Sequence, residues 1–147
     1  MTLPWFARPG RTIVHGAPEG WDAFLIARAA RSLADQARPV LHVARDDARM
    51  ALLADCLEVA APELDVIQFP AWDCLPYDRV SPNGPLVSRR IDALGRIASG
   101  KPTIKQPRVV ITTVAALLQR LPSRAMIGPA FKPLKVGDKV QIGRAHV

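Results

Sequence analysis

Short β-branched apolar runs alternate along this chain with stretches whose apolar residues recur every three or four positions. Thr12-Ile-Val-His15 is such a run and stops at Gly16, so it reads as a first strand. From about Gly20 to Ala37, Leu25, Ala29, Leu33 and Ala37 recur at spacings of four. Arg28, Arg31, Asp35 and Arg38 form another face, the pattern of an amphipathic helix. Pro39-Val-Leu-His-Val43 predicts the next strand. Asp46 or Asp47 is placed to cap a second helix with Met50, Leu53 and Leu57 inward, ended by Pro62. Leu64–Phe69 predicts a third strand. A Pro- and Trp-rich segment, Pro70 to Pro85, precedes a third helix from about Leu86 to Ser99. Val87, Ile91, Leu94 and Ala98 are its expected inner face; Arg89, Asp92 and Arg96 its outer one. Gly100 to Pro107 reads as a polar loop and Arg108–Thr112 as a buried parallel strand. Thr113 should cap a short helix, Val114 to Leu121, closed by Pro122.

Four strands joined by helices predict an α/β domain with a parallel sheet covered on both faces. After Pro122 the character changes. Phe131–Val140 looks extended, with a turn at Gly137-Asp138, and should open a second, β-rich unit. A length of 147 residues fits one domain, or one domain and the start of another.

Composition supports a packed core: 49% of residues are hydrophobic, 22% are charged, and the mean hydropathy is +0.09. The net charge of +7 and pI of about 10.3 are less ordinary. They suit an anionic partner such as nucleic acid. They suit equally a GC-rich genome, since Arg outnumbers Lys 15 to 5. Cys56 and Cys74 form no CxxC pair and have no His at metal spacing, so they read as buried thiols in a reducing compartment. Met1 to Gly10, broken by Pro4, Arg8 and Pro9, is not expected to be a signal peptide. No stretch approaches the ~18 apolar residues of a membrane span, and a cytoplasmic location is expected.

A strand, a glycine-bearing turn and a helix are the parts of a phosphate-binding P-loop, GxxxxGK[ST]. In that loop, backbone N–H groups and the helix N-terminus hold the phosphates, Lys reaches the outer ones, and the hydroxyl ligates Mg²⁺. Here the stretch is Gly16-Ala-Pro-Glu-Gly20-Trp-Asp-Ala23. Gly16 fits the first position. Trp21 stands where the second glycine belongs, Asp22 where Lys belongs, and Ala23 where Ser or Thr belongs. Asp22 would repel phosphate, Trp21 crowds the cradle, Ala23 ligates no metal, and Pro18 removes an N–H. The stretch reads as a degenerate P-loop, or as a tight turn that never held a ligand. The strand at Val109–Thr112 ends in Thr-Thr and lacks the Asp-Glu pair that would hold Mg²⁺ and position water. No Ser-His-Asp or Cys-His set stands out. His15 and His42 fall in predicted strands. No catalytic, cofactor or metal residue is therefore assigned.

Phe69-Pro-Ala-Trp-Asp-Cys-Leu-Pro-Tyr-Asp-Arg-Val-Ser-Pro82 is the most distinctive segment. It closely resembles the FP-x-W-[DE]-x-LPYD-x-x-SP signature of the bacterial transcription-repair coupling factors, the Mfd family. The resemblance continues through Val87-Ser-Arg-Arg-Ile-Asp-Ala-Leu94 and Val110–Arg120, which ends in Leu-Leu-Gln-Arg. Val40–Arg49 also resembles the Ala- and Arg-rich members. It spans roughly Thr12 to Val140.

That resemblance implies a RecA-like N-terminal module similar to the damage-binding protein UvrB, with its nucleotide site lost. It implies a parent that is an ATP-driven double-stranded DNA translocase, displaces stalled RNA polymerase and recruits UvrA. ATP and Mg²⁺ would belong to motor domains far downstream. Unlike UvrB, the chain has too few residues between Tyr77 and Leu86 for a long damage-clamping hairpin.

The expected organisation is an extension at 1–11, the α/β domain at 12–128, and the start of the UvrA-contacting type of β-rich domain at 129–140. A non-native tail at 141–147 would follow, read as one frame of a sequencing adapter. Within the signature, Trp72 and Tyr77 could stack on bases beside Arg79 or pack on their own domain. Leu75 and Pro76 read as core plugs. Asp73 and Asp78 are expected to bond nearby backbone N–H groups, with Phe69, Pro70, Ser81 and Pro82 structural. Arg89, Arg90 and Arg96 read as a solvated face. Two other readings compete with a non-catalytic scaffold: a free-standing nucleotide-binding domain and a basic nucleic-acid-binding module.

Overall fold

The computed structural model describes residues 9–74, 79, 81–99 and 106–130. They form an α/β unit around a three-stranded, all-parallel sheet in the order β1-β3-β2. The strands are β1 (Val40–Ala44), β2 (Asp65–Phe69) and β3 (Arg108–Thr113). Five helices accompany them: α1 (Trp21–Leu33), α2 (Asp47–Ala60), α3 (Gly84–Ser99), α4 (Val114–Leu117) and α5 (Arg124–Ala130). β3 is central, with Val109 opposite both Val40 and Val66. Its alternation feeds two cores. Val109 and Ile111 point to one face, against Ala27, Ala30, Leu53 and Leu57 of α1 and α2. Val110 points to the other, against Ile67, Phe69, Ala93, Leu94 and Ala116. Leu53, Leu57, Ile67, Val109 and Ile111 are fully buried. Each such side chain contributes about 1.5–3 kcal/mol by leaving water.

Helix boundaries follow local chemistry. The Asp46 side chain accepts a 2.8 Å bond from the Arg49 N–H and caps α2. Thr113 Oγ1 accepts from the Ala116 N–H at 3.3 Å and caps α4. The α1 helix passes into a 3₁₀ turn (Ala34–Gln36) and closes at Ala37, left-handed at φ 52°. There the Ala37 and Arg38 N–H groups donate to Ala34 and Leu33 carbonyls.

Several expectations need correction. Thr12–His15 forms no strand: Ile13 and Val14 are exposed and join no ladder. β-branched residues favour a strand, but a strand also needs a neighbour, and none of the described strands offers it one. The buried stripe of α1 is Ala23, Ile26, Ala27, Ala29, Ala30 and Ala34. Leu25 and Leu33 are half-buried and Ala37 is exposed, because alanines let the helix lie close to α2 and the sheet. In α3, Ile91 is 58% exposed, whereas Arg90 and Ala93 are buried. The α4 helix stops at Leu117, four residues before the expected end, and α5 was not foreseen. Cys56 and Cys74 are free thiols and only half-buried. Phe131–Val140 and Gln141–Val147 lie outside the described residues.

Candidate functional site

In open parallel sheets, ligands meet the carboxyl ends of the strands. Two constellations occupy that edge here. The first is the loop before α1. Gly16 (φ 70°) and Gly20 (φ 83°) both adopt left-handed backbone, which suits glycine alone without strain. Gly20 occupies the N-cap position without a side chain to accept from the helix. The Trp21 N–H donates to Pro18 O and the Ala23 N–H to Gly20 O, each at 3.1 Å. Ala23 is buried; Trp21 lies half in solvent, its ring tilted on Phe24 at 5.6 Å between centroids.

Asp22 is the chemically telling residue. Its Oδ1 accepts from the Ala23 N–H at 3.1 Å. Its Oδ2 accepts from the Arg49 guanidinium at 2.6 Å. Arg49 also lies 3.6 Å from Glu19. The helix start therefore already carries a negative group of its own, and a cation from α2 closes on it. His42 of β1 lies in the same field. Its pKa is lowered from the ordinary 6.5, first by burial, with Arg49 adding to the effect and Asp22 opposing it. Asp46 is held below the usual carboxylate value, first by the Arg49 N–H and then by Arg45.

The second constellation joins three segments. Arg90 of α3 is 2% exposed. Its guanidinium lies 4.3 Å from the centroids of both Phe69 and Trp72, a cation held between two aromatic faces. It donates to the Pro70 carbonyl and, at 3.0 Å, to Gln119 Oε1. The same Gln119 oxygen accepts from the Trp72 N–H at 3.1 Å. Burial lowers the Arg90 pKa, but the group stays charged. Thr112 Oγ1 donates to Phe69 O at 2.9 Å and secures the end of β2. Asp73 accepts from the Asn83 N–H at 3.3 and 3.4 Å, drawing the two ends of the loop together. Trp72 thus packs on its own domain. Pro70 is buried, Pro82 half-buried and Ser81 exposed. Leu75, Pro76, Tyr77 and Asp78 lie outside the described residues.

The solvated-face expectation for three arginines holds for Arg89 alone. Arg90 is enclosed as described. Arg96 binds Asp65, which also accepts from Arg108 Nε at 2.6 Å. Arg49, Arg90 and Gln119 were missed as organising residues. One signal was present for Arg90: it falls three residues after Val87 and four before Leu94, inside the apolar stripe. Among the described residues no group of three or more His, Cys, Asp or Glu could hold a metal ion. No described helix is long and apolar enough to cross a membrane.

Sheet and site together define an α/β domain whose helix-start loop is closed by its own ion pair. No family model matches the chain, and no solved structure matches it. Among curated proteins it is similar to transcription-repair-coupling factors. That of Rickettsia prowazekii (strain Madrid E) is 29% identical over 102 residues, 69% of this chain and 8% of that protein. That of Rickettsia bellii (strain RML369-C) is 33% identical over 81 residues, 55% and 7%. That of Haemophilus influenzae (strain ATCC 51907 / DSM 11121 / KW20 / Rd) is 27% identical over 128 residues, 87% and 10%. The chain spans at most 10% of the length of these three relatives, and a distant relationship to transcription-repair-coupling factor is supported.

Proposed function

We propose that this chain is a non-catalytic scaffold module of a cytoplasmic transcription-coupled DNA repair factor, the counterpart of the N-terminal part of its long relatives. The observation that carries this reading is the Asp22–Arg49 pair. A working phosphate loop offers a free helix N-terminus and a lysine to incoming phosphate. Here Asp22 stands at the lysine's place and is neutralised from within by Arg49. Nucleotide would have to displace that pair and then face a carboxylate, with no hydroxyl at Ala23 for Mg²⁺.

In this reading the module binds no cofactor and takes a structural part. Translocation on double-stranded DNA, displacement of RNA polymerase and recruitment of UvrA belong to other regions of the parent protein, with ATP and Mg²⁺ in its motor. The distant relationship to transcription-repair-coupling factor supports this assignment. So does the convergence on Arg90 and Gln119 of the three segments that carry the family resemblance. The domain division at 12–128 and 129–140 is part of the same proposal.

Titration with a fluorescent ATP analogue tests it. The expected result is no saturable, Mg²⁺-dependent binding. Micromolar binding that is competed by ATP would overturn the proposal and favour a free-standing nucleotide-binding domain.

A further inference from the structure

Among the described residues β2 forms one edge of the sheet, and its backbone groups alternate in direction along the strand. The Asp65 N–H donates to Pro107 O, on the β3 side. Successive residues of a strand point their N–H and C=O groups to opposite sides. Asp65, Ile67 and Phe69 therefore bond to β3, and Val66 and Gln68 turn theirs outward. Among the described residues no strand takes them up.

A groove of about 470 Å³ runs beside that edge, and Val66 and Gln68 line it. Its wall from α2 carries Asp55 and Glu58, both exposed and without an ion-pair partner among the described residues. The opposite wall carries Arg96, whose charge is already met by Asp65 and, at 3.7 Å, by Asp92. The groove is thus acidic in a chain of net charge +7.

We propose that the outer edge of β2 is a docking site for a basic, extended peptide segment, which adds to the sheet as a further strand. Backbone groups of Val66 and Gln68 bond the incoming strand. Lysines at alternate positions, facing the α2 side, meet Asp55 and Glu58. Apolar or β-branched residues between them fit the pleat. Charge complementarity selects this occupant over an acidic or neutral strand.

The probe is a fluorescein-labelled seven-residue peptide of alternating Lys and Val, followed by anisotropy on the full 147-residue chain. Saturable binding is expected. It should weaken by about tenfold or more in the double variant Asp55→Lys, Glu58→Lys, and again when alternate peptide nitrogens are methylated to block strand pairing. Gln68→Pro removes one outward N–H, which β3 does not use, and should weaken binding too. If that variant does not fold, the methylated peptide makes the same test on the unaltered chain. Absence of binding overturns the proposal. So does equal affinity for the methylated peptide, which would mean charge attraction alone, or equal affinity in the charge-reversed variant. Self-association abolished by Gln68→Pro would assign the edge to a second copy and also overturn it.

Discussion

Replacing Arg90 probes the contact on which the second constellation depends. Truncation to Ala removes two cation–aromatic contacts at 4.3 Å, each worth about 0.5–2 kcal/mol depending on desolvation. It also removes hydrogen bonds from a charged donor to Pro70 O and Gln119 Oε1, each about 1.5–3 kcal/mol. Against these stands the several kcal/mol needed to take a guanidinium out of water. Part of that cost is uncompensated, since Arg90 Nε is buried without a hydrogen-bond partner among the described residues. The net cost of Arg90→Ala is therefore well below the sum, about 3 kcal/mol. Arg90→Met keeps most of the stem and removes both the bonds and the desolvation, for about 1 kcal/mol. Arg90→Lys keeps a charge that cannot lie flat between two rings, and should cost about 2 kcal/mol. Urea unfolding followed by near-ultraviolet circular dichroism, with Trp72 as a reporter, gives the three values. The order Ala, then Lys, then Met, from most to least destabilised, is the expected outcome. Three variants within about 0.5 kcal/mol of the unaltered chain, or Lys as the mildest, would show that the Arg90 contacts do not stabilise the fold in this way.

Other substitutions test separate contacts of the fold. Ala37→Gly relieves a left-handed alanine (φ 52°) at the end of the 3₁₀ turn and should stabilise by about 1 kcal/mol in the same urea assay. Asp65→Asn leaves Arg96 and Arg108 without their shared carboxylate and should cost about 2–3 kcal/mol. His42 has a folded pKa below 6.5, so between these values the unfolded chain binds more protons and stability falls as pH falls. His42→Gln should flatten the change in urea midpoint between about pH 7 and pH 5.5.

Much of the fold is legible in the sequence because local rules and packing agree there. Met50, Leu53 and Leu57 fall on one face of α2 and are all buried. Asp46 caps that helix by its own side chain. The apolar run at β3 is central, as continuous hydrophobicity implies. Where the outcome depends on a partner distant in sequence, the pattern misleads. Thr12–His15 has strand chemistry and, among the described strands, no ladder to join. Arg90 is polar by any periodicity rule, yet Phe69, Trp72 and Pro70 O, some twenty residues away, make burial favourable and turn Ile91 outward. The substituted residues of the helix-start loop are readable at once. That Arg49 reaches Asp22 across 27 positions is not, since only the packing of α2 beside α1 brings them together.

With Asp22 bound to Arg49, the loop from Gly16 to Ala23 is expected to take no nucleotide. Thermal unfolding of the unmodified chain with and without excess Mg²⁺·ATP tests it without a fluorophore. A ligand at 100 times its Kd stabilises the folded state by about 2.7 kcal/mol, enough to raise the midpoint by several degrees. No Mg²⁺-dependent shift is expected. A clear upward shift with ATP that is lost when Mg²⁺ is removed would contradict this.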